Sequence, residues 1–126
     1  MYRKKNPNQT ELELPFGIPL NPDSKWVKLA KLMPWDRIEE EYQNKFKGNE
    51  GQEAKSSRLA FGALYIQMTE GLSDERTREH IRDNPHMQYF CGFPGYTTEP
   101  PFDSSLMVYF RKRITHEMIK AINEEV

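Results

Sequence analysis

The residues of this chain best placed to do chemistry are cations. Phe110-Arg111-Lys112-Arg113 sets three positive charges in a row, and Ser104 and Ser105 stand about two helical turns upstream. On a helix, Leu106, Phe110 and Ile114 recur at i, i+4 and i+8 and share one face. With Phe110 turned inward, Lys112 points nearly opposite, Arg111 and Arg113 flank it, and Ser105, Val108 and Tyr109 fall on the outward half. Hydroxyl side chains near a helix start, with Arg and Lys along it, can hold the phosphates and base edges of nucleic acid. The same pattern also describes a solubilising face whose cations complement a helix C-terminus. The residues alone leave both readings open.

A second cationic group is weaker. Arg76, Arg78 and Arg82 are interleaved with Asp74, Glu75, Glu79 and Asp83, so pairing at i, i+3 and i, i+4 neutralises much of that helix. It is first of all a surface helix. Because it follows a turn at Gly71, its arginines also stand as second-rank DNA contacts. Arg3, Lys4 and Lys5 are either a phosphate-contacting arm or a soluble terminus. Gln88-Tyr89-Phe90 could offer bases a stacking platform, but Phe90 is expected in the core. Cys91 is the single cysteine and reads as a small buried residue. It can form no internal disulfide, which fits a cytoplasmic protein. His80, His86 and His116 have no metal-ligand spacing with Cys91 and no evident carboxylate or serine partners. No catalytic residue, no metal site and no cofactor is expected.

Composition narrows the classes. The 126 residues suit one domain, and a formal net charge of -1 offers no bulk attraction to nucleic acid, so DNA contact needs a local basic face. A mean hydropathy of -0.86 is low and fits a compact domain with polar ends, and no run approaches the roughly 20 apolar residues of a span. No membrane partner is expected.

The elements that must position the cations follow from periodicity. Residues 1–23 read as a basic, then apolar, extended arm, in which Leu12, Leu14, Phe16, Ile18 and Leu20 alternate while Pro15 and Pro19 bar a central strand. Asp23-Ser24 caps a helix with Trp26, Val27, Leu29, Ala30 and Leu32. Pro34 opens a second, carrying Trp35, Ile38, Tyr42 and Phe46, with Glu39, Glu40 and Glu41 as a solvated face. Residues 47–55 form a polar loop. Ser57 to Glu70 is the most apolar helix and should be central; Gly71 ends it. Ser73 caps the next helix, which stops before Pro85. A short helix runs from His86 to Cys91, ended by Gly92, and a Pro/Gly-rich loop follows. Asp103 or Ser104 caps a helix through Ile114, and Thr115 caps the last. The expected fold class is all-α: a multi-helix domain over 24–126, with helix-turn-helix-like elements and an extended N-terminal arm.

The order of these motifs carries more than any one of them. Leu59-x-x-x-Ala63-Leu64 precedes Gly71-Leu72-Ser73-Asp74; later comes Pro101-Phe102-Asp103-Ser104-Ser105, closed by Phe110-Arg111-Lys112-Arg113. This arrangement resembles the N-terminal domain of bacterial insertion-sequence transposases of the DDE type. The resemblance implies that a ribonuclease-H-like catalytic domain, holding divalent metals on separated acids, belongs to the parent protein and is absent from this chain. It implies a DNA-binding, end-recognition role toward terminal inverted repeats in DNA transposition. Ser104, Ser105, Arg111, Lys112 and Arg113 are then the leading contacts, and Arg76, Arg78 and Arg82 the second rank. The alternative is an oligomerisation module that pairs transposase subunits, for which the apolar arm is suited. On this reading the chain is no enzyme. With magnesium or manganese, purified protein is expected neither to nick nor to join DNA; metal-dependent nicking that survives substitution of the surface acids would contradict it.

Overall fold

The computed structural model describes residues 20–44, 56–99 and 102–126. These form seven helices and no strand: α1 (Lys25–Leu32), α2 (Trp35–Gln43), α3 (Ser57–Glu70), α4 (Asp74–Asp83), α5 (Pro85–Phe90), α6 (Leu106–Arg113) and α7 (His116–Glu125). The all-α expectation holds. The arm up to Pro19, Phe46 and the 47–55 loop lie outside the described residues. Leu20, the first described residue, is buried.

Local chemistry sets the helix ends. Ser24, Ser73 and Thr115 each accept a hydrogen bond from a backbone N–H of the first turn, and so does Ser56 before α3. Each satisfies a donor that the helix itself cannot. Gly71 closes α3 at φ 66°, a left-handed conformation costly for any residue with a Cβ. Asn84 both ends α4 and starts α5, its Oδ1 accepting from His86 N and Met87 N, with Pro85 in the first position of α5. Several ends differ from expectation by a residue or two: α5 spans Pro85–Phe90 instead of His86 to Cys91, and α6 stops at Arg113 instead of Ile114. Pro34 lies just outside α2, which opens at Trp35. The turn before α6 is tightened by Leu106 N→Asp103 O and Met107 N→Ser104 O bonds, so the regular helix begins at Leu106. Asp103 caps this turn, through Ser105 N.

Helix α3 is the core of the molecule. Every residue from Leu59 to Ile66 is buried, so this helix has no solvent face over two turns and must be covered all round. It packs against α2, α4, α5 and α6, while α1 packs on α5. An aromatic cluster fills one side. The Phe90 ring lies 5.2 Å from Trp26, 5.5 Å from Trp35 and 5.7 Å from Tyr65, and Tyr65 stacks on Phe61 at 5.8 Å. Aromatic pairs at these separations add to the stabilisation that burial alone provides. Trp35 also donates its Nε1–H to Ala30 O at 2.8 Å, folding α2 back on α1.

Polar staples complete the framework. Arg58 donates to Tyr89 O and Phe90 O, closing the end of α5, and lies 4.6 Å from the Trp35 ring centroid. Gln88 is fully buried. Its amide donates to Ile81 O and Thr97 O and accepts from Thr97 N, which holds the Pro/Gly-rich loop against the end of α4. The Glu39–Glu41 run is only partly a solvated face. Glu39 accepts from Ser57 Oγ at the start of α3, Glu41 pairs with Arg37 at 3.0 Å, and Arg37 also pairs with Glu125 of α7.

Helix α3 and the end of α5 approach closely at Gly62. A Cβ at Gly62 would stand 2.8 Å from Cys91 Sγ and 3.2 Å from Cys91 Cα. Burial pushes the Cys91 thiol up to about 12, so it stays a neutral packing group. Gly62→Ala should destabilise the domain by about 1–3 kcal/mol through overpacking. Cys91→Ala in the same chain should recover part of that loss by removing Sγ. Denaturant melts of the single and double variants test this; a Gly62→Ala midpoint equal to the parent's would show that α5 gives way freely.

Candidate nucleic-acid interface

The candidate cations sit on α6, whose phase is set by what it buries. Met107 and Phe110 are buried, Ile114 just beyond the helix is too, and Leu106 is only partly covered. The inward stripe is therefore Met107, Phe110 and Ile114 with Leu106 at its edge, a small rotation from the expected Leu106, Phe110 and Ile114. Phe110 packs on Phe102 with ring centroids 5.6 Å apart. The opposite side exposes Ser105, Val108, Tyr109 and Lys112; Arg111, also exposed, stands at the flank toward α3 and α4, and Ser104 and Arg113 are half-buried.

The three cations differ in what surrounds them. Arg111 makes a two-pronged ion pair with Asp74 at the start of α4, Nη1 to Oδ1 at 2.8 Å and Nη2 to Oδ2 at 3.0 Å. Gln67 of α3 completes the group, donating to Asp74 Oδ1 at 2.7 Å and accepting from Arg111 at 3.3 Å. The clamp ties α6, α3 and α4 together at one end. The hydrogen bond from Arg111, then that from Gln67, holds the Asp74 carboxyl below its ordinary value against the opposing effect of burial, and Asp74 raises Arg111 in turn. Arg113 lies near Tyr42 of α2. Its charge draws the Tyr42 phenol down, although burial leaves that group above its ordinary value. Lys112 is exposed, its Nζ 5.5 Å from the Tyr109 ring centroid.

The second-rank arginines are less available. Arg76 is exposed and lies 3.8 Å from Glu79. Arg78 is half-buried, and its Nε is shielded from solvent with no hydrogen-bond partner among the described residues. Arg82 pairs with Asp83 at 3.0 Å. Because Asp74 meets Arg111, the start of α4 and the end of α6 are neighbours, whereas Arg82 lies about 12 Å further along the α4 axis. Arg78, four residues from Asp74, shares its face of α4, whereas Arg76, two residues on, points away from it.

Sequence reasoning passed over one basic face. Helix α1 reads Lys25-Trp26-Val27-Lys28-Leu29-Ala30-Lys31-Leu32, with no acidic residue. Lys28 and Lys31 are exposed, and Leu32 stands beside them in solvent. The signal was visible in the helix composition. Lys25 is accounted for by Glu70 of α3, at 2.8 Å. Among the described residues no group of three or more His, Cys, Asp or Glu is arranged to hold a metal ion, and no helix is long and apolar enough to cross a membrane.

Comparison with known proteins adds a family. Residues 17–113 match the family described as Transposase domain (DUF772). A curated relative, the "Uncharacterized protein ORF8 in nfe locus" of Rhizobium meliloti, is 38% identical over 106 residues, which cover 81% of this chain and 51% of the relative. The chain thus matches about half the length of that relative. No solved structure matches.

The clamp has a pH signature. A carboxyl whose folded value lies below its ordinary 3.8 contributes stability above that value and loses it as pH falls through the lowered one. Both partners are well exposed, so the contribution is small, about 0.2–1 kcal/mol. Asp74→Asn should therefore melt below the parent at neutral pH, and the gap should close in acid below the ordinary carboxylate range. Paired thermal melts across pH check this; a gap that persists unchanged in acid would show that Asp74 acts only through shape.

Proposed function

Since this chain belongs to the transposase domain family, we propose that it is the DNA-recognition domain of an insertion-sequence transposase, binding the terminal inverted repeats of its element. The observation that carries this reading is the outward side of α6. Helix α6 has three cations in its last turn and no acid, anchored by Phe110 and held by the Arg111–Asp74 clamp. A chain of net charge -1 has no general affinity for a polyanion, so a fixed cluster of this kind supplies it locally.

Within the cluster we divide the roles by what each side chain touches. Lys112 contacts phosphate. Arg113, half-buried beside α2, supports the same potential from the flank. Arg111 positions α6 against α3 and α4 and adds charge. Ser104 and Ser105, at the start of the helix, lie toward base edges or backbone. Of α4, Arg76, Arg78 and Arg82 supply outlying, second-rank contacts, with Arg82 furthest along the helix from the α6 group. The α3–Gly71–α4 pair resembles the first part of a helix-turn-helix, with α4 as a second, weaker approach to the duplex. Catalysis, and the divalent metals it needs, belong on this reading to a further domain of the transposase.

Binding of the chain to a duplex carrying the element's terminal repeat, measured by fluorescence anisotropy at several salt concentrations, tests the proposal. Affinity should be modest and fall steeply with salt. Lys112→Ala should flatten the slope of log affinity against log salt by about 0.9, the value for one lost phosphate contact, while leaving the helical circular dichroism intact. Arg76→Ala should do less, since Glu79 already stands near it. A Lys112→Ala chain that binds as tightly as the parent, with the same slope, would leave α6 as a solvated face and favour the oligomerisation module instead.

A further inference from the structure

Two large apolar side chains stand in solvent on the helix that carries the cations. Val108 is 46% exposed and Tyr109 is 54% exposed. Ser105, Val108, Tyr109 and Lys112 are spaced i, i+3, i+4 and i+7, so they form one ridge along α6. The Lys112 ammonium lies over the Tyr109 ring and keeps charge and apolar surface side by side. A face needed only for solubility would carry polar groups at 108 and 109. A partner that covers this ridge must offer apolar surface and negative charge together.

A second copy of the chain meets that demand poorly. A parallel two-fold contact through α6 would set its cations against their own counterparts, and an antiparallel one would set Lys112 against Ser105; neither offers an acid on the helix to meet the charge. The major groove of duplex DNA meets it well. Its walls are phosphate, and the C5-methyl of thymine is the apolar group its base edges present. We infer that Val108 and Tyr109 read thymine methyl groups in the major groove while Lys112, on the same ridge, holds a flanking phosphate. This rests on the DNA-recognition reading and deepens it, turning a charged face into a sequence-selective one.

The test replaces thymine by uracil, which removes the methyl and leaves charge and base pairing unchanged. A duplex is first selected from a randomised pool by binding to the 126-residue chain, then remade with deoxyuridine at each thymine in turn. At a contacted position the parent chain should bind the uracil duplex about fourfold more weakly, the effect of one methyl group's burial. Val108→Ala should bind the thymine duplex as the parent binds the uracil one, with no further loss on replacement at that position. Lys112→Ala should weaken both duplexes equally. Equal parental affinity for every thymine and uracil duplex would overturn the inference and leave DNA binding standing, and it needs no variant to be measured. If no duplex is selected at all, the DNA reading fails and this inference with it. A change in the mass of the DNA-free chain on Val108→Ala, seen by light scattering, would assign the ridge to a protein contact and overturn it too.

Discussion

Burial of α3 on every side is the constraint from which the rest of the structure follows. A helix with no solvent face over Leu59–Ile66 cannot be stable alone. Each neighbour is selected for a stripe that fits it: Ile38 and Tyr42 of α2, Thr77 and Ile81 of α4, Phe90 of α5, Met107 and Phe110 of α6. Gly62 sets how closely α5 approaches, and Phe90 then reaches the aromatic cluster. The stripe that α6 must bury decides which of its residues remain outside. The cationic ridge is in this sense a consequence of core packing, and its direction is as fixed as the core.

Side-chain staples convert this packing into a defined surface. Arg58 and Gln88 use charge and amide geometry to finish helix ends that backbone bonding leaves open. The Arg111–Asp74–Gln67 group, through side chains alone, ties α6 to α3 and α4 at the end where the cations gather. Charge spent in the clamp is partly neutralised, so the outward charge falls chiefly to Lys112. A domain that is slightly acidic overall can present a small basic ridge in this way, and a small ridge suits modest, salt-sensitive binding.

What was legible in the sequence was local. The caps at Ser24, Ser73 and Thr115, the stop at Gly71, the break at Pro85 and the all-round apolar character of α3 each depend on residues within a turn of one another, and the structure has them where periodicity put them. The site was legible in outline, because Phe110 and Ile114 set its phase. Its details were not. Met107 displaces Leu106 from the centre of the stripe, since the tight turn at 103–105 delays the helix start. Asp74 read as a first-turn acid, yet its carboxylate serves an arginine 37 positions away. Gln88 read as part of an aromatic segment and is the buried anchor of a loop. These pairings depend on tertiary placement, which helical periodicity does not encode. The basic face of α1 was legible and was passed over.

On the proposed reading, the outward ridge of α6 is where this transposase-family domain meets DNA. Titration of isotopically labelled protein with a duplex carrying the element's terminal repeat, followed by backbone amide resonances, tests it most directly. The largest shifts are expected on Ser105, Val108, Tyr109 and Lys112, with smaller ones at the start of α4. Shifts concentrated instead on Lys28, Lys31 and Leu32 of α1, with α6 unmoved, would contradict it.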